Sequence, residues 1–266
     1  MVPVGRGAAT VMLALGDSPG SGSRSHRLVA LEHAASRSRP GLWGDNPDVP
    51  SSLVWLREGD DALEAFAAGE PDRAIGWLAS RAEGRPIRLA APEAWEAAAR
   101  LEGGRVGRGS VASLVRPSPL AEMAAPPVEV ARLGPGDRPA FEALAPAWAL
   151  RAWGGFAELI GRASAFGVRS GPGFASLAWV FESGRRFDKV GVATLPRYRR
   201  LGLGRAAARG LIVDVERSRR KRPLWTTTPD NPESLALARS LGFASEVSEP
   251  LILWEPGADR DDPGIR

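Results

Sequence analysis

The sequence predicts an α/β protein: an α+β mixed sheet with helices in the C-terminal region, preceded by a smaller α+β domain. Three observations support this prediction. Apolar strand-like runs alternate with amphipathic helical patterns after residue 128, a glycine-rich turn joins one such strand to a helix, and a proline-rich segment separates the two regions. The 266 residues, 44% hydrophobic with nine tryptophans, suffice for two packed cores.

The first region is predicted as an N-terminal α+β lobe over residues 26–116, after a flexible leader over 1–25. The leader is predicted because residues 18–25 are rich in serine and glycine. Apolar spacing predicts helices over 26–38, 71–83 and 92–101, and strands over 41–45, 52–57, 87–89 and 106–115. The lobe contains no glycine-rich phosphate turn.

Residues 117–127, with four prolines, are predicted as a linker, and residues 128–255 as the second domain. Strands are predicted over 128–133, 175–182, 187–195 and 224–228, with a closing hairpin of 243–247 and 251–254. Helices are predicted over 139–143, 147–162, 203–217 and 232–241, followed by a flexible tail over 256–266. Asn231 is a typical N-cap ahead of Pro232, and Gly242 a typical left-handed C-cap.

The most informative stretch is Arg199-Arg200-Leu201-Gly202-Leu203-Gly204, between the strand 187–195 and the helix 203–217. Such a turn directs unpaired helix amides and the positive end of the helix dipole at one point. Phosphate is the usual ligand of such a point. Basic residues number ten between Arg197 and Arg222 against two acidic ones, which favours a polyanionic ligand.

The order of strand, Arg-x-x-Gly-x-Gly turn, helix, strand and Asn-capped helix resembles the GNAT superfamily of acyl-CoA-dependent N-acetyltransferases. The second signature is Asn231-Pro232-Glu233-Ser234 through Leu241-Gly242-Phe243, at the family's spacing from the first. The resemblance extends over 128–255, and the first region resembles the N-terminal half of two-lobed bacterial members. It implies a GNAT-like fold in the second domain and a smaller, degenerate GNAT-like first domain.

The resemblance implies that acetyl-CoA binds along the strand that contains Val192, with its pyrophosphate on the glycine-rich turn. The residues that it implies for this cosubstrate are Val192, Thr194, Arg199, Arg200, Leu201, Gly202, Leu203, Gly204, Arg205, Asn231 and Ser234. Glycines at 202 and 204 allow the backbone to approach phosphate without a Cβ collision. The implied activity is transfer of an acetyl or other acyl group to a primary amine of a small molecule or a protein.

Acyl transfer to an amine requires the neutral amine, so a carboxylate must take the proton directly or through water. Asp188 lies eleven residues before Arg199, where several GNAT enzymes carry a general base, and Glu182 is the second candidate. The alternative is that Asp188 is a solvated strand residue paired with Arg185 or Arg186. The Val192 amide is the donor that the family implies for the thioester oxygen.

One departure from the family concerns the leaving thiolate, which a tyrosine of the last helix often protonates. This sequence has Ala238 there, and its single tyrosine, Tyr198, lies in the turn. Either water or the incoming ammonium supplies the proton, or the protein is a CoA-binding regulatory module without fast turnover. A third hypothesis, ranked last, is a nucleic-acid-binding protein that uses the basic stretch.

Large aromatic residues are predicted to line the acceptor pocket: Trp148, Trp153, Phe156 and Trp179. The alternative, that they belong to the core, is common for tryptophan at such spacing. The chain has no cysteine and only two histidines, so no metal site is predicted. No apolar run is long enough to span a membrane, and a cytoplasmic monomer or homodimer is expected.

Overall fold

The computed structural model describes residues 1–4, 9, 26–37, 41–48, 50–59, 61–117 and 128–258. These residues form two compact units. Unit 1 consists of Met1–Ala112 together with Ser248–Arg266, and unit 2 of Ser113–Val247. The chain therefore leaves unit 1 once and returns to it after unit 2. Residues 118–127 of the linker predicted over 117–127, and most of the predicted leader and tail, lie outside the described residues.

Unit 1 is a mixed sheet with helices. Its elements are β1 (Val2–Pro3), α1 (His26–Arg37), β2 (Leu42–Gly44), β3 (Ser52–Glu58), β4 (Leu63–Gly69), α2 (Ala74–Ala82), β5 (Ile87–Ala90), α3 (Ala94–Glu102), most of β6 (Arg105–Val115) and most of β12 (Ser245–Glu255). The strand order is β1-β2-β3-β4-β5-β12. Strand β12 pairs with β5 and contributes Ile252 and Trp254 to the core of this unit.

Unit 2 likewise combines parallel and antiparallel strand pairs with helices. Its elements are β7 (Ala131–Arg132), α4 (Arg138–Glu142), α5 (Phe156–Arg162), β8 (Ala165–Ser170), β9 (Gly173–Ser183), β10 (Phe187–Thr194), α6 (Leu203–Arg217), β11 (Arg222–Thr227) and α7 (Pro232–Ser240). The strand order is β11-β10-β9-β8-β7, with β10 and β11 parallel and the other pairs antiparallel. Helix α6 buries Ala207, Leu211 and Val215, the apolar stripe that the sequence predicts.

The two units repeat one connection. In unit 1, β3 and β4 are antiparallel and β4 continues through α2 into the parallel strand β5. In unit 2, β9 and β10 are antiparallel and β10 continues through α6 into the parallel strand β11. The α/β class with a mixed sheet is therefore confirmed.

Several predicted elements are corrected by the structure. The predicted hairpin of 243–247 and 251–254 is one strand, β12, and residues 248–255, assigned to the second domain, belong to unit 1. The predicted helix over 147–162 is a 3-10 turn at Ala147–Leu150 and the separate helix α5, because Gly154 and Gly155 take positive φ between them. Strands β4 and β8 were not predicted, and Val2–Pro3, assigned to the leader, pairs with β2.

Candidate active site

A wedge between β10 and β11 is the central feature of the site. The two parallel strands pair from Phe187↔Arg222 to Val190↔Trp225 and no further, although β10 runs on to Thr194 and β11 to Thr227. On its other side β10 stays paired with β9 as far as Thr194↔Ser176. The edge of β10 that faces β11 is thus released from pairing beyond Val190.

The backbone amides along this released edge can be assigned from the pleat. Leu195 donates its amide to the Ala175 carbonyl at 3.0 Å, so it faces β9. Successive amides of a strand point to opposite sides, so the Val192 and Thr194 amides face the wedge. These two amides are the ones that the sequence predicts for acetyl-CoA, and the geometry leaves both available to a ligand.

The glycine-rich turn follows directly at the open end of the wedge. Arg200 has φ of 64° and Gly202 has φ of 77°, both left-handed, and Gly202 caps α6 without any side-chain cap. The first-turn amides of α6 therefore have no partner of their own. A Cβ on Gly204 would lie 3.0 Å from Thr194 Oγ1, so this glycine permits the close packing of α6 on β10. Arg199, Arg200, Leu201, Gly202 and Arg205 are exposed around the turn, with Leu203 half-buried.

The second signature is organised around Asn231. Its side chain accepts the Ser234 amide at 3.0 Å, which confirms the predicted N-cap, and Gly242 has the positive φ of 82° expected at the end of α7. Ser234 Oγ accepts the indole N–H of Trp225 at 3.0 Å. Since Trp225 stands at the last β10–β11 pair, this bond ties α7 to the vertex of the wedge. A direct contact of Asn231 or Ser234 with acetyl-CoA stays a prediction.

Asp188 lies away from the wedge opening. Its fully buried carboxylate accepts hydrogen bonds from Ser183 at 2.6 Å and from the ion-pair partners Arg219 and Lys221. Both basic residues follow the C-terminal end of α6, whereas Val192 lies near its N-terminal end. Val192 lies four positions after Asp188 along the strand, a distance of about 13 Å. The geometry gives this carboxylate a structural partnership, and its role as a base stays a prediction.

Glu182 is also buried, on the other face of the sheet. It stands opposite Lys189 in the β9–β10 register, and the two side chains form an ion pair with both fully enclosed. The register between the strands shifts at Lys189/Val190, where Phe181 is the extra residue of β9. Glu182 therefore compensates a buried cation, and its role as a second candidate base stays a prediction.

The predicted aromatic pocket residues do come together, on the face of the sheet opposite α6. Trp148 contacts Trp179 and Phe181 with ring centroids 5.8 Å and 5.1 Å apart. Trp153, Phe156 and Trp179 are buried, while Trp148 is half-buried. Trp153 and Phe156 therefore belong to the core beneath the site, and Trp148 is the member with surface left to meet a ligand.

Hydroxyl groups suited to protonate a thiolate do not occupy the family position. Ala238 is fully buried in α7. Tyr198 lies in the 3-10 turn Pro196–Tyr198, where its hydroxyl is 2.5 Å from Ser170 Oγ and Arg197 stacks on its ring. Hydrogen bonds from Ser170 and Arg197 lower the pKa of Tyr198. This contact fastens the turn to the β8–β9 hairpin.

In unit 1, strands β4 and β5 diverge in the same way, but a tryptophan side chain occupies the gap between them. Strand β4 pairs with β5 only as far as Phe66↔Ala90 and continues to Gly69. Trp95 of α3 is fully buried, and its indole N–H donates to the Gly69 carbonyl at 2.9 Å. The connection from β4 to α2, residues 70–73, has no glycine. Sequence reasoning missed this filled wedge, because β4 itself was not predicted.

The comparisons with known proteins agree with this geometry. Residues 157–248 match the family model of the GNAT acetyltransferases. No curated protein matches the chain. Among solved structures, a GCN5-related N-acetyltransferase-like protein from Streptococcus suis is 21% identical with a TM-score of 0.58, over 80% of this chain and 87% of its own.

Two further structures extend over more of the chain. A putative GNAT-family acetyltransferase from Novosphingobium aromaticivorans is 21% identical with a TM-score of 0.59, over 87% of this chain and 99% of its own. A tandem GNAT protein from the clavulanic acid biosynthesis pathway is 14% identical with a TM-score of 0.60, over 97% and 99%. These structural similarities show that the chain shares the fold of these proteins.

The predicted resemblance to the GNAT acetyltransferases is therefore confirmed over residues 157–248, and acyl transfer is the general activity of that family. Within the described residues, no helix has the length and apolar character needed to cross a membrane. The same residues contain no group of three or more histidine, cysteine, aspartate or glutamate side chains that could hold a metal ion.

Proposed function

We propose that the protein is an N-acetyltransferase that moves an acetyl group from acetyl-CoA to a primary amine of a small molecule or a protein. The observation that carries the proposal is the wedge between β10 and β11, which leads directly into the turn at Arg199–Gly204. A pantetheine chain needs strand-like partners, and the Val192 and Thr194 amides supply them. The positive first turn of α6 suits the pyrophosphate.

Charge at the turn supports the same ligand. Arg199, Arg200 and Arg205 are exposed beside the first turn of α6, where they can add charge to amide–phosphate bonds. Charge-assisted hydrogen bonds contribute about 1.5–3 kcal/mol each. The left-handed Gly202 has nothing within 4 Å of an added Cβ, so the turn is open on that side.

The reaction follows from these groups. The neutral amine attacks the thioester carbonyl, the new C–N bond forms, and the oxygen gains charge opposite the Val192 amide. Collapse breaks the C–S bond, and the thiolate takes up a proton. Glu182 already neutralises the fully buried Lys189, and Asp188, itself fully buried, already pairs with the partly buried Arg219 and Lys221. Releasing either carboxylate would leave its cationic partners without a counter-charge. We therefore infer that water accepts the amine proton.

Thiol release from acetyl-CoA, measured across a panel of amines, tests this proposal. We expect at least one amine to raise the rate well above hydrolysis without an amine. The alternative, a CoA-binding regulatory module, is favoured by the buried Ala238 at the tyrosine position. Tight binding of acetyl-CoA by calorimetry with no amine-dependent release would select that alternative. Absence of binding would contradict both.

The filled wedge of unit 1 predicts a binding stoichiometry. We expect titration calorimetry with CoA to give one site per chain, because Trp95 occupies the unit 1 wedge and the 70–73 connection offers no glycine-rich turn. The Gly202→Glu substitution in unit 2 should then remove the measurable binding heat. Two equivalents of CoA per chain, or heat that survives the Gly202 variant, would contradict the assignment to unit 2 alone.

A further inference from the structure

Two hydroxyl groups lie side by side at the open end of the wedge. Ser176 of β9 stands opposite Thr194 of β10 in the strand register, and their side-chain oxygens are 2.8 Å apart. Ser176 is fully buried, and its Oγ also lies 3.0 Å from the Ala193 carbonyl oxygen. Thr194 is half-buried, and in the part of the chain that the structure describes its hydroxyl bonds to Ser176 and to no other group.

The directions of the two O–H bonds follow from these contacts. A serine or threonine hydroxyl has one proton and two lone pairs, whereas a carbonyl oxygen can only accept. Both contacts are hydrogen bonds only if Ser176 donates to the Ala193 carbonyl and Thr194 donates to Ser176 Oγ. Because its proton is directed at β9, the Thr194 oxygen can only accept a hydrogen bond from any further partner.

This accepting oxygen lies against the first turn of α6. A Cβ on Gly204 would lie 3.0 Å from Thr194 Oγ1. The same point is 3.7 Å from Val192 Cγ1 and 3.8 Å from Leu237 Cδ2. Two methyl groups and one accepting oxygen therefore surround this position, beside the amides that are proposed to bind the pyrophosphate. Phosphate oxygens are themselves acceptors, so the pyrophosphate is not a suitable partner for Thr194 Oγ1.

The part of CoA next to its pyrophosphate has the complementary chemistry. This pantoate unit has one carbon with two methyl groups, followed by a carbon with a hydroxyl group, which is the nearest donor of the pantetheine chain to the pyrophosphate. We propose that Thr194 Oγ1 accepts a hydrogen bond from the pantoate hydroxyl of bound CoA. Ser176 is then a positioning residue, because it holds the Thr194 proton away from the ligand. This inference rests on the proposed function.

Three forms of CoA that differ only at the pantoate hydroxyl test the proposal. They are CoA itself, a deoxy form with hydrogen in place of the hydroxyl, and a keto form whose carbonyl oxygen can only accept. Titration calorimetry on wild type should show about fivefold weaker binding of the deoxy form, because one neutral hydrogen bond is lost. The keto form should bind more weakly still, because two accepting oxygens would face each other. Equal affinities for CoA and the deoxy form would disprove the proposal.

Thr194→Val removes the accepting oxygen and keeps the shape of the side chain. In this variant the affinities for CoA and for the deoxy form should agree within about twofold. Thr194→Ser is the matched control, because it keeps the oxygen, and it should still bind CoA about fivefold more tightly than the deoxy form. A fivefold preference that survives in Thr194→Val would show that another group binds the hydroxyl.

Ser176→Ala tests the positioning role, because its two expected effects have opposite signs. Without the serine oxygen, the Thr194 proton can turn towards the ligand. The affinity for CoA should then fall about threefold, whereas the affinity for the keto form should rise by about the same factor. Ser52→Ala, at a buried strand serine of unit 1, is the matched control and should change neither affinity. A change of both affinities in the same direction would disprove the positioning role.

The outcomes separate this inference from the proposed function. If wild type binds CoA but does not distinguish it from the deoxy form, the bond from the pantoate hydroxyl is disproved while the proposed function stands. If wild type binds neither CoA nor acetyl-CoA, the proposed function is disproved, and this inference with it.

Discussion

Gly202→Glu is expected to weaken CoA binding by at least about 100-fold. The substitution places a carboxylate beside the first-turn amides of α6, where the pyrophosphate is proposed to lie, and loss of about two charge-assisted bonds gives this factor. Because nothing lies within 4 Å of an added Cβ at this position, the new side chain creates no clash. Titration calorimetry with CoA measures the effect directly.

Two controls isolate the charge from the backbone strain. Gly202→Lys has the same left-handed φ of 77° and a side chain of similar length, but should retain binding. Gly84→Glu introduces the same backbone strain at an exposed glycine of unit 1, which has φ of 79° and nothing within 4 Å of an added Cβ. This position is far along the chain from the glycine-rich turn. Each left-handed substitution should cost about 1–2 kcal/mol of stability. Equal CoA affinity in the two Gly202 variants would contradict a phosphate at this turn.

Asp188→Asn is expected to destabilise unit 2 by about 3–5 kcal/mol, the usual cost of removing one partner from a buried ion pair. The carboxylate is fully buried and holds Arg219, Lys221 and Ser183 together. An amide would leave both cations uncompensated. The measurement is the free energy of unfolding in urea, with the rate of thiol release determined under conditions where the variant is still folded.

The matched control is Glu158→Gln, which removes a carboxylate from the exposed pair of Glu158 with Arg162. Surface pairs of this kind contribute about 0–1 kcal/mol, so its stability should hardly change. If Asp188→Asn unfolds like wild type but loses about 100-fold or more in rate, the sequence-based assignment of a general base is correct and the structural role is wrong.

The elements that the sequence predicts correctly are those whose sequence patterns lie within the element itself or directly beside it. Helix α6 is predicted with its observed bounds because its apolar stripe and the glycines before it are local patterns. The Asn231 cap is predicted for the same reason. Strand β4 is missed because Leu63–Gly69 is rich in alanine and has no β-branched residue, which is not typical of a strand.

In the candidate site, too, features that depend on neighbouring residues are predicted, and features that depend on distant residues are not. The turn at Arg199–Gly204 is a local motif and predicts its anion site from spacing alone. The partners of Asp188 are not local: Arg219 and Lys221 come more than thirty residues later, at the end of α6. The sequence pattern therefore assigns Asp188 as a general base from its offset to Arg199. It contains no information about the hydrogen bonds that the carboxylate oxygens accept in the folded protein. The contact of Ser176 with Thr194 likewise depends on the strand register.

The return of the chain to unit 1 has a consequence for biosynthesis. The part of strand β12 that pairs with β5 buries Ile252 and Trp254 among the residues of unit 1, yet all of unit 2 is translated before this part. Unit 1 therefore cannot complete its core while it emerges from the ribosome. The edge of β5 that later pairs with β12 therefore stays unpaired while more than a hundred further residues are synthesised. An unpaired strand edge promotes aggregation, so a nascent chain stalled before residue 248 should depend on chaperones that a full-length chain does not need.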